Sequence, residues 1–153
     1  AFSASYAIDT VNLRYFNIFG PRQRADSPYS GVIAKFISAL KLGEPPTITG
    51  DGSATRDFTY VANAVHANLL AARHPGRVGG EVFNVATGLR TSVLQLALTL
   101  AQIIGRDDIK PRFAPSRPGD VPHSQADLGR IRGTFGYDVI VDLPAGLRAT
   151  VGG

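Results

Sequence analysis

An α/β fold, the end of a doubly wound sheet carrying a small α/β cap, is what this sequence of 153 residues predicts. Short β-branched and aromatic runs alternate with stretches whose apolar residues recur at helical spacing. Seventeen glycines and ten prolines punctuate that alternation, which implies many connecting loops. No glycine-rich turn opens the first strand-helix unit, so the pattern suits the later part of such a sheet and not its beginning.

Taken in order, residues 1–9 read as the tail of a helix and 11–16 as a strand. Val11, Leu13, Tyr15, Ile18 and Phe19 supply its apolar content, and Asn17, Gly20, Pro21, Arg22 and Gln23 mark its end. Val32, Ile33, Phe36, Ile37 and Leu40 place a helix over 31–42, stopped by Gly43 and then Pro45 and Pro46. Residues 47–49 and 55–60 are short strands around a Gly-Asp-Gly turn. Val61, Val65, Leu69 and Ala72 form the apolar stripe of the next helix, which ends near His74 and Pro75. After a strand over 81–85, Val93, Leu94, Ala97, Leu100, Ala101 and Ile104 share one helical face. Thr91 or Ser92 caps that helix and Gly105 ends it. A strand over 110–113, a short helix over 127–135 and a last helix from about Asp142 complete the chain.

Composition narrows the function. The formal charge of +4 comes mostly from dispersed arginines, with only Lys35, Lys41 and Lys110 as lysines, so no basic patch for nucleic acid is legible. With no cysteine there is neither a disulfide framework nor thiolate chemistry. No targeting segment, lipidation motif or membrane-spanning run is visible, which favours a cytoplasmic protein without a membrane partner. His66, His74 and His123 do not have the spacing of a metal site. Asp57, Asp107 and Asp108 read as solvated or capping carboxylates.

Four blocks carry the chemistry: LRYFNIFGPRQ over 13–23, GDGSATRDFTYV over 50–61, EVFNVATG over 81–88 and RPGDVPHSQAD over 117–127. Asn17 sits where a strand hands over to a loop, which suits either a turn-forming residue or an amide presented to a ligand. Arg56 can give a phosphate two parallel hydrogen bonds, or it can pair with Asp57 or Asp51 at the surface. Arg117 and Asp120 flank a Pro-Gly turn with a cation and an acceptor.

In this order the blocks resemble the extended short-chain dehydrogenase/reductases, the nucleotide-sugar epimerases and dehydratases, and within them the 4-epimerases of UDP-glucose and UDP-N-acetylglucosamine. The resemblance implies a Rossmann-type sheet end with a substrate-binding cap. It makes residues 1–153 the C-terminal, substrate-binding portion of such an enzyme, truncated at both ends, with the N-terminal cofactor half absent. The family's glycine fingerprint is missing, because the Gly50 and Gly52 run lacks a third glycine. So is its Tyr-x-x-x-Lys pair: none of Tyr6, Tyr15, Tyr29, Tyr60 and Tyr137 has lysine four positions later. No catalytic residue is therefore assigned, and the chain alone is expected to be inactive.

The same resemblance implies NAD as cofactor, held mainly by the other half, a UDP-sugar as substrate, and a homodimer for the complete enzyme. It puts Asn17 and Arg56 on the diphosphate, Gln23 near the sugar, and Val32 and Ile33 in backbone contact at a helix start. Thr47, Ile48 and Thr49 would line the uracil, with Phe58 packed near the diphosphate. Arg117 would meet phosphate, Asp120 ribose, and Ser124 would gate the sugar's C2 substituent beside Gly31, leaving room for an N-acetyl group. A nucleotide-sugar dehydratase or decarboxylase, and a non-catalytic fragment of an interrupted gene, are the alternative readings.

Overall fold

A helix needs a donor-satisfying start and a stop, and α4 (Val93–Ile104) has both. Ser92 accepts the N–H of Gln95 at 3.0 Å, and Gly105 closes the C-terminus with φ of 75°. Its buried face carries Leu96, Ala97, Leu100 and Ala101. Each fully buried leucine contributes about 1.5–3 kcal/mol relative to exposure. The computed structural model describes residues 2–26, 31–116 and 118–153.

α1 (Phe2–Tyr6) precedes β1 (Asn12–Tyr15) and β2 (Ile18–Phe19), and α2 (Val32–Lys41) follows. Next come β3 (Thr47–Thr49), β4 (Thr55–Arg56), β5 (Thr59–Tyr60) and α3 (Val61–Arg73). β6 (Val82–Val85), β7 (Thr91–Ser92), α4, β8 (Arg112–Ala114), α5 (Gly129–Phe135) and α6 (Leu143–Gly152) complete the order. The strands pair two by two. β1 with β6, β2 with β5 and β3 with β8 are parallel, whereas β4 with β7 is antiparallel.

Two apolar clusters hold these pieces. One gathers α2, α4 and α6 around Ile48 of β3, with Phe19 and Phe58 at its edge. The other packs α3 and α5 on the β1 and β6 pair through Phe83, Val85, Ile131, Phe135 and Tyr137. Asp142 caps α6 by accepting the N–H of Ala145 at 2.8 Å. One turn into α6, Gly146 lies against Tyr60, where any Cβ would fall 2.9 Å from that ring and its Cβ. A side chain there would have to push α6 off β5.

Three expectations need correction. The stripe of Val61, Val65, Leu69 and Ala72 faces outward on α3, and the buried face is Asn63, Ala64 and Ala67. Asn63 is buried because it is satisfied: its amide donates to the Val141 carbonyl and accepts the N–H groups of Ile140 and Val141. The run 55–60 is two strands with different partners, broken at Asp57. The short helix begins at Gly129, because Asp127 spends its carboxylate on the Gly129 N–H ahead of the helix.

Tyr137 is fully buried and donates its hydroxyl to the Ala86 carbonyl at 2.9 Å. Burial, reinforced by the nearby carboxylates of Asp57 and Asp138, pushes its phenol up to about 12 from an ordinary 10.0. Between those values the unfolded chain gives up a proton that the folded chain keeps, so stability falls as pH rises through this window. Tyr137→Phe is expected to flatten that alkaline loss in urea unfolding series, at a cost of roughly 0.5–1.5 kcal/mol at neutral pH for the missing hydrogen bond.

Candidate functional site

A cavity of about 500 Å³ lies between α2, β3, β4 and the loop of residues 120–123. Its polar floor starts where β1 gives way to β2. Asn17 takes a φ of 39°, which asparagine tolerates better than most residues, and this turns its side chain across to β5. Its Nδ2 donates to the Asp57 carbonyl at 3.0 Å, and its own carbonyl accepts the Thr59 N–H. Asn17 is thus both a turn residue and a cavity residue, with one N–H left for a ligand.

Gln23 and Gly31 face one another at the start of α2. A Cβ on Gly31 would sit 3.4 Å from the Gln23 amide, so glycine keeps this part of the wall thin. Val32 and Ile33 follow at the helix N-terminus, where main-chain N–H groups lack intrahelical partners. Opposite them, Thr47, Ile48 and Thr49 of β3 form the other side, and Ile48 is fully buried. With Phe36, one helical turn beyond Val32, they line a largely apolar slot.

Arg56 on β4 is the one arginine or lysine lining this cavity among the described residues. It does not pair with Asp57 or Asp51. Its Nη1 donates to the carbonyls of Thr55 and Pro122, at 2.8 and 3.3 Å, which aims the guanidinium while leaving its other N–H groups available. Phe58 packs behind it, 4% exposed.

Asp57 corrects a further expectation. It is wholly buried, not solvated, because four donors converge on its carboxylate. Oδ1 accepts Thr87 N and Thr87 Oγ1 at 2.9 and 2.6 Å, and Oδ2 accepts Gly88 N and Ala126 N at 2.9 and 3.2 Å. The segment leading to Ala126 is also laced to β4. Thr55 N donates to Pro122 O, Ser124 N donates to Thr55 O, and Thr55 Oγ1 meets His123 Nδ1 at 3.0 Å. This lacing holds Asp120, Val121, Pro122 and His123 over the cavity mouth.

Of the residues expected at the site, Asn17, Gln23, Gly31, Val32, Ile33 and Thr47 line this one cavity, as do Ile48, Thr49, Arg56, Phe58 and Asp120. Arg117 lies outside the described residues. Ser124, expected as a gate, follows directly on His123, the last residue of this strap to line the cavity, and its main-chain N–H donates to the Thr55 carbonyl. Sequence reasoning missed Phe36, Asp51, Ser53, Ser116 and His123. Phe36 was readable from its four-residue spacing to Val32. Ser116 comes within reach through the pairing of β3 with β8 and left no local signal. Asp51 accepts the N–H and hydroxyl of Ser53, and those two bonds hold its carboxyl below the usual range.

A cleft at the ends of parallel strands, with one aimed arginine and an apolar slot, suits an anionic ligand with an apolar part. The chain belongs to the NAD dependent epimerase/dehydratase family, whose family model matches residues 1–86. A UDP-glucose 4-epimerase from Mycolicibacterium smegmatis is 38% identical over 146 residues, covering 95% of this chain and 45% of that protein. A UDP-N-acetyl-alpha-D-glucosaminuronate decarboxylase from Bacillus cytotoxicus is 32% identical over 144 residues, covering 91% of this chain and 44% of that protein. The structure of a UDP-N-acetylglucosamine 4-epimerase from Methanobrevibacter ruminantium, in complex with UDP-N-acetylmuramic acid, superposes with a TM-score of 0.90 at 41% identity. It covers 99% of this chain and 47% of that one. The chain therefore spans less than half the length of these relatives, and matches their α/β, Rossmann-like architecture over that span.

The Gly50 and Gly52 run does not form a phosphate-binding turn of the dinucleotide type. Gly50 and Gly52 lead into β4 instead of a helix, and the space beside Gly52 is filled by Leu94, 3.0 Å from where a Cβ would stand. No helix among the described residues is long and apolar enough to cross a membrane.

Proposed function

We propose that this chain is the substrate-binding portion of an NAD-dependent UDP-sugar 4-epimerase, supplying affinity and orientation while the hydride carrier and the acid-base pair belong to a companion portion. The observation that supports this best is the single cavity in which Asn17, Gln23, Arg56 and Asp120 meet the slot between α2 and β3. Diphosphate oxygens find the Arg56 guanidinium and the Asn17 amide at one end, and a planar base finds Val32, Thr47 and Thr49 at the other, over the buried Phe36 and Ile48. Asp120 offers an acceptor for sugar hydroxyls on the strap above. Holding the ligand by its diphosphate and base leaves a sugar ring free to turn without escaping, which is what epimerisation at one carbon requires.

Calorimetric titration of the 153-residue chain with UDP, UDP-N-acetylglucosamine and uridine tests this reading. UDP and the nucleotide sugar are expected to bind at least tenfold more tightly than uridine, since charged-group hydrogen bonds contribute roughly 1.5–3 kcal/mol. Incubation with UDP-sugars is expected to give no interconversion. UDP binding no better than uridine, or turnover by the chain alone, would overturn the proposal.

A further inference from the structure

The parallel pairing of β1 with β6 sets Arg14 beside Asn84 and Asn12 beside Val82, on the face turned away from Leu13 and Phe83. A separate cavity of about 400 Å³ opens there, lined by Arg14, Val82, Asn84, Asp127 and Arg130, and it shares no residue with the cavity beside α2. We propose that this is a second binding site, which takes the phosphate group of a small molecule between the guanidinium groups of Arg14 and Arg130.

Both guanidinium groups are already aimed. Arg14 Nε donates to Asn84 Oδ1 at 2.8 Å, and the Asn84 amide is fixed in turn by donating to the Asp127 carbonyl at 2.9 Å. The Arg14 Cζ stands 5.7 Å from the centre of the Phe16 ring. Arg130 is held in the same manner: its Nη2 donates to Glu81, and its Cζ stands 5.3 Å from the centre of the Phe83 ring. A hydrogen bond at one edge and a ring against the plane leave each side chain little freedom to lose when a ligand arrives.

The remaining donors outnumber the acceptors. Neither terminal nitrogen of Arg14 donates to a described residue, and Nε and Nη1 of Arg130 are likewise unengaged among them. The two carboxylates at this site have partners: Glu81 receives Arg130, and Asp127 receives the Gly129 N–H at 2.7 Å. A carboxylate ligand is satisfied by a single guanidinium fork. A phosphate carries more oxygens, set tetrahedrally, and accepts from two forks at once, so a pair of arginines with free donors favours it. The cavity has room for the organic group that bears the phosphate, with the half-exposed Val82 as its apolar contact.

Inorganic phosphate is the probe, titrated into the isotope-labelled 153-residue chain and its Arg14→Gln and Arg130→Gln variants. The main-chain amides of residues 82–84 and 127–130 and the Asn84 side-chain amide are followed by NMR. Both arginines are exposed, so the variants are expected to keep the fold, checked by circular dichroism. The parent is expected to give saturating shifts at these amides with a dissociation constant on the order of a millimolar, and each variant to weaken it at least about tenfold. Sodium chloride at matched ionic strength is expected to leave the same amides in place. Shifts that chloride reproduces, that fail to saturate, or that persist in both variants would overturn the inference. Loss in one variant alone would reduce the site to a single arginine and overturn it too. Acetate binding as tightly as phosphate would overturn the assignment to a phosphate group. Phosphate held beside α2 would instead move amides around Arg56 and respond to Arg56→Ala, so the result is independent of the function proposed above.

Discussion

Asp57→Ala is expected to lower the unfolding free energy by about 3–5 kcal/mol, the range for leaving buried partners of a charge unpaired. The carboxylate receives the main-chain N–H groups of Thr87, Gly88 and Ala126 and the Thr87 hydroxyl. Removing it leaves these donors in a site that water does not reach, since Asp57 has no exposed surface. Each orphaned donor costs about 1–3 kcal/mol, and neighbours do not add fully. Asn at this position is expected to rescue little, because its amino group would face N–H groups. Against a typical stability of 5–15 kcal/mol the loss is a large share, so urea midpoints should drop strongly with an unchanged m-value. A drop under about 1 kcal/mol would show that the clamp is dispensable.

Arg56→Ala is expected to cost about 1.5–3 kcal/mol in UDP affinity, roughly 10- to 150-fold, while uridine binding stays the same. The contrast isolates the phosphate term. Arg56→Lys is expected to recover only part of the loss, because an ammonium cannot form two parallel bonds with a phosphate. The guanidinium also holds the strap through the Pro122 carbonyl, so a fall in uridine affinity would instead trace the effect to cavity closure. Isothermal calorimetry on the three proteins with both ligands separates the two.

What the sequence made legible follows from how local each signal is. α2 and α4 could be placed within a residue or two, and the start of α6 likewise, because the periodicity and the stops at Gly43 and Gly105, and the cap at Asp142, lie within the segment itself. The α3 stripe misled because apolar spacing reports a face but not what lies opposite it. On this helix the core takes two alanines and an asparagine satisfied from the turn before α6. Asp57 misled in the same way: beside Arg56 it looks like half of a surface pair, and only the return of residues 87, 88 and 126 buries it. The site residues carried in contiguous blocks, from Asn17 to Gln23 and from Thr47 to Phe58, could be read as a set. Ser116 could not, since it reaches the groove through the β3 and β8 ladder, and nothing in a strand of three residues names its partner.

The pairing of strands has one more consequence, for the order of assembly. Each ladder among the described residues joins strands that are separated in the chain by at least one helix, and none is a hairpin. No sheet contact can therefore form by a short loop closing on itself, and every one carries the entropy of a long closure. α4, with its own cap and stop, is the element best able to form early. The groove beside α2 needs β3 to find β8 and β4 to find both β7 and the strap, so it is completed only when remote segments have met. A ligand that bridges those segments acts after they assemble, and shows itself as slower unfolding and not as faster folding.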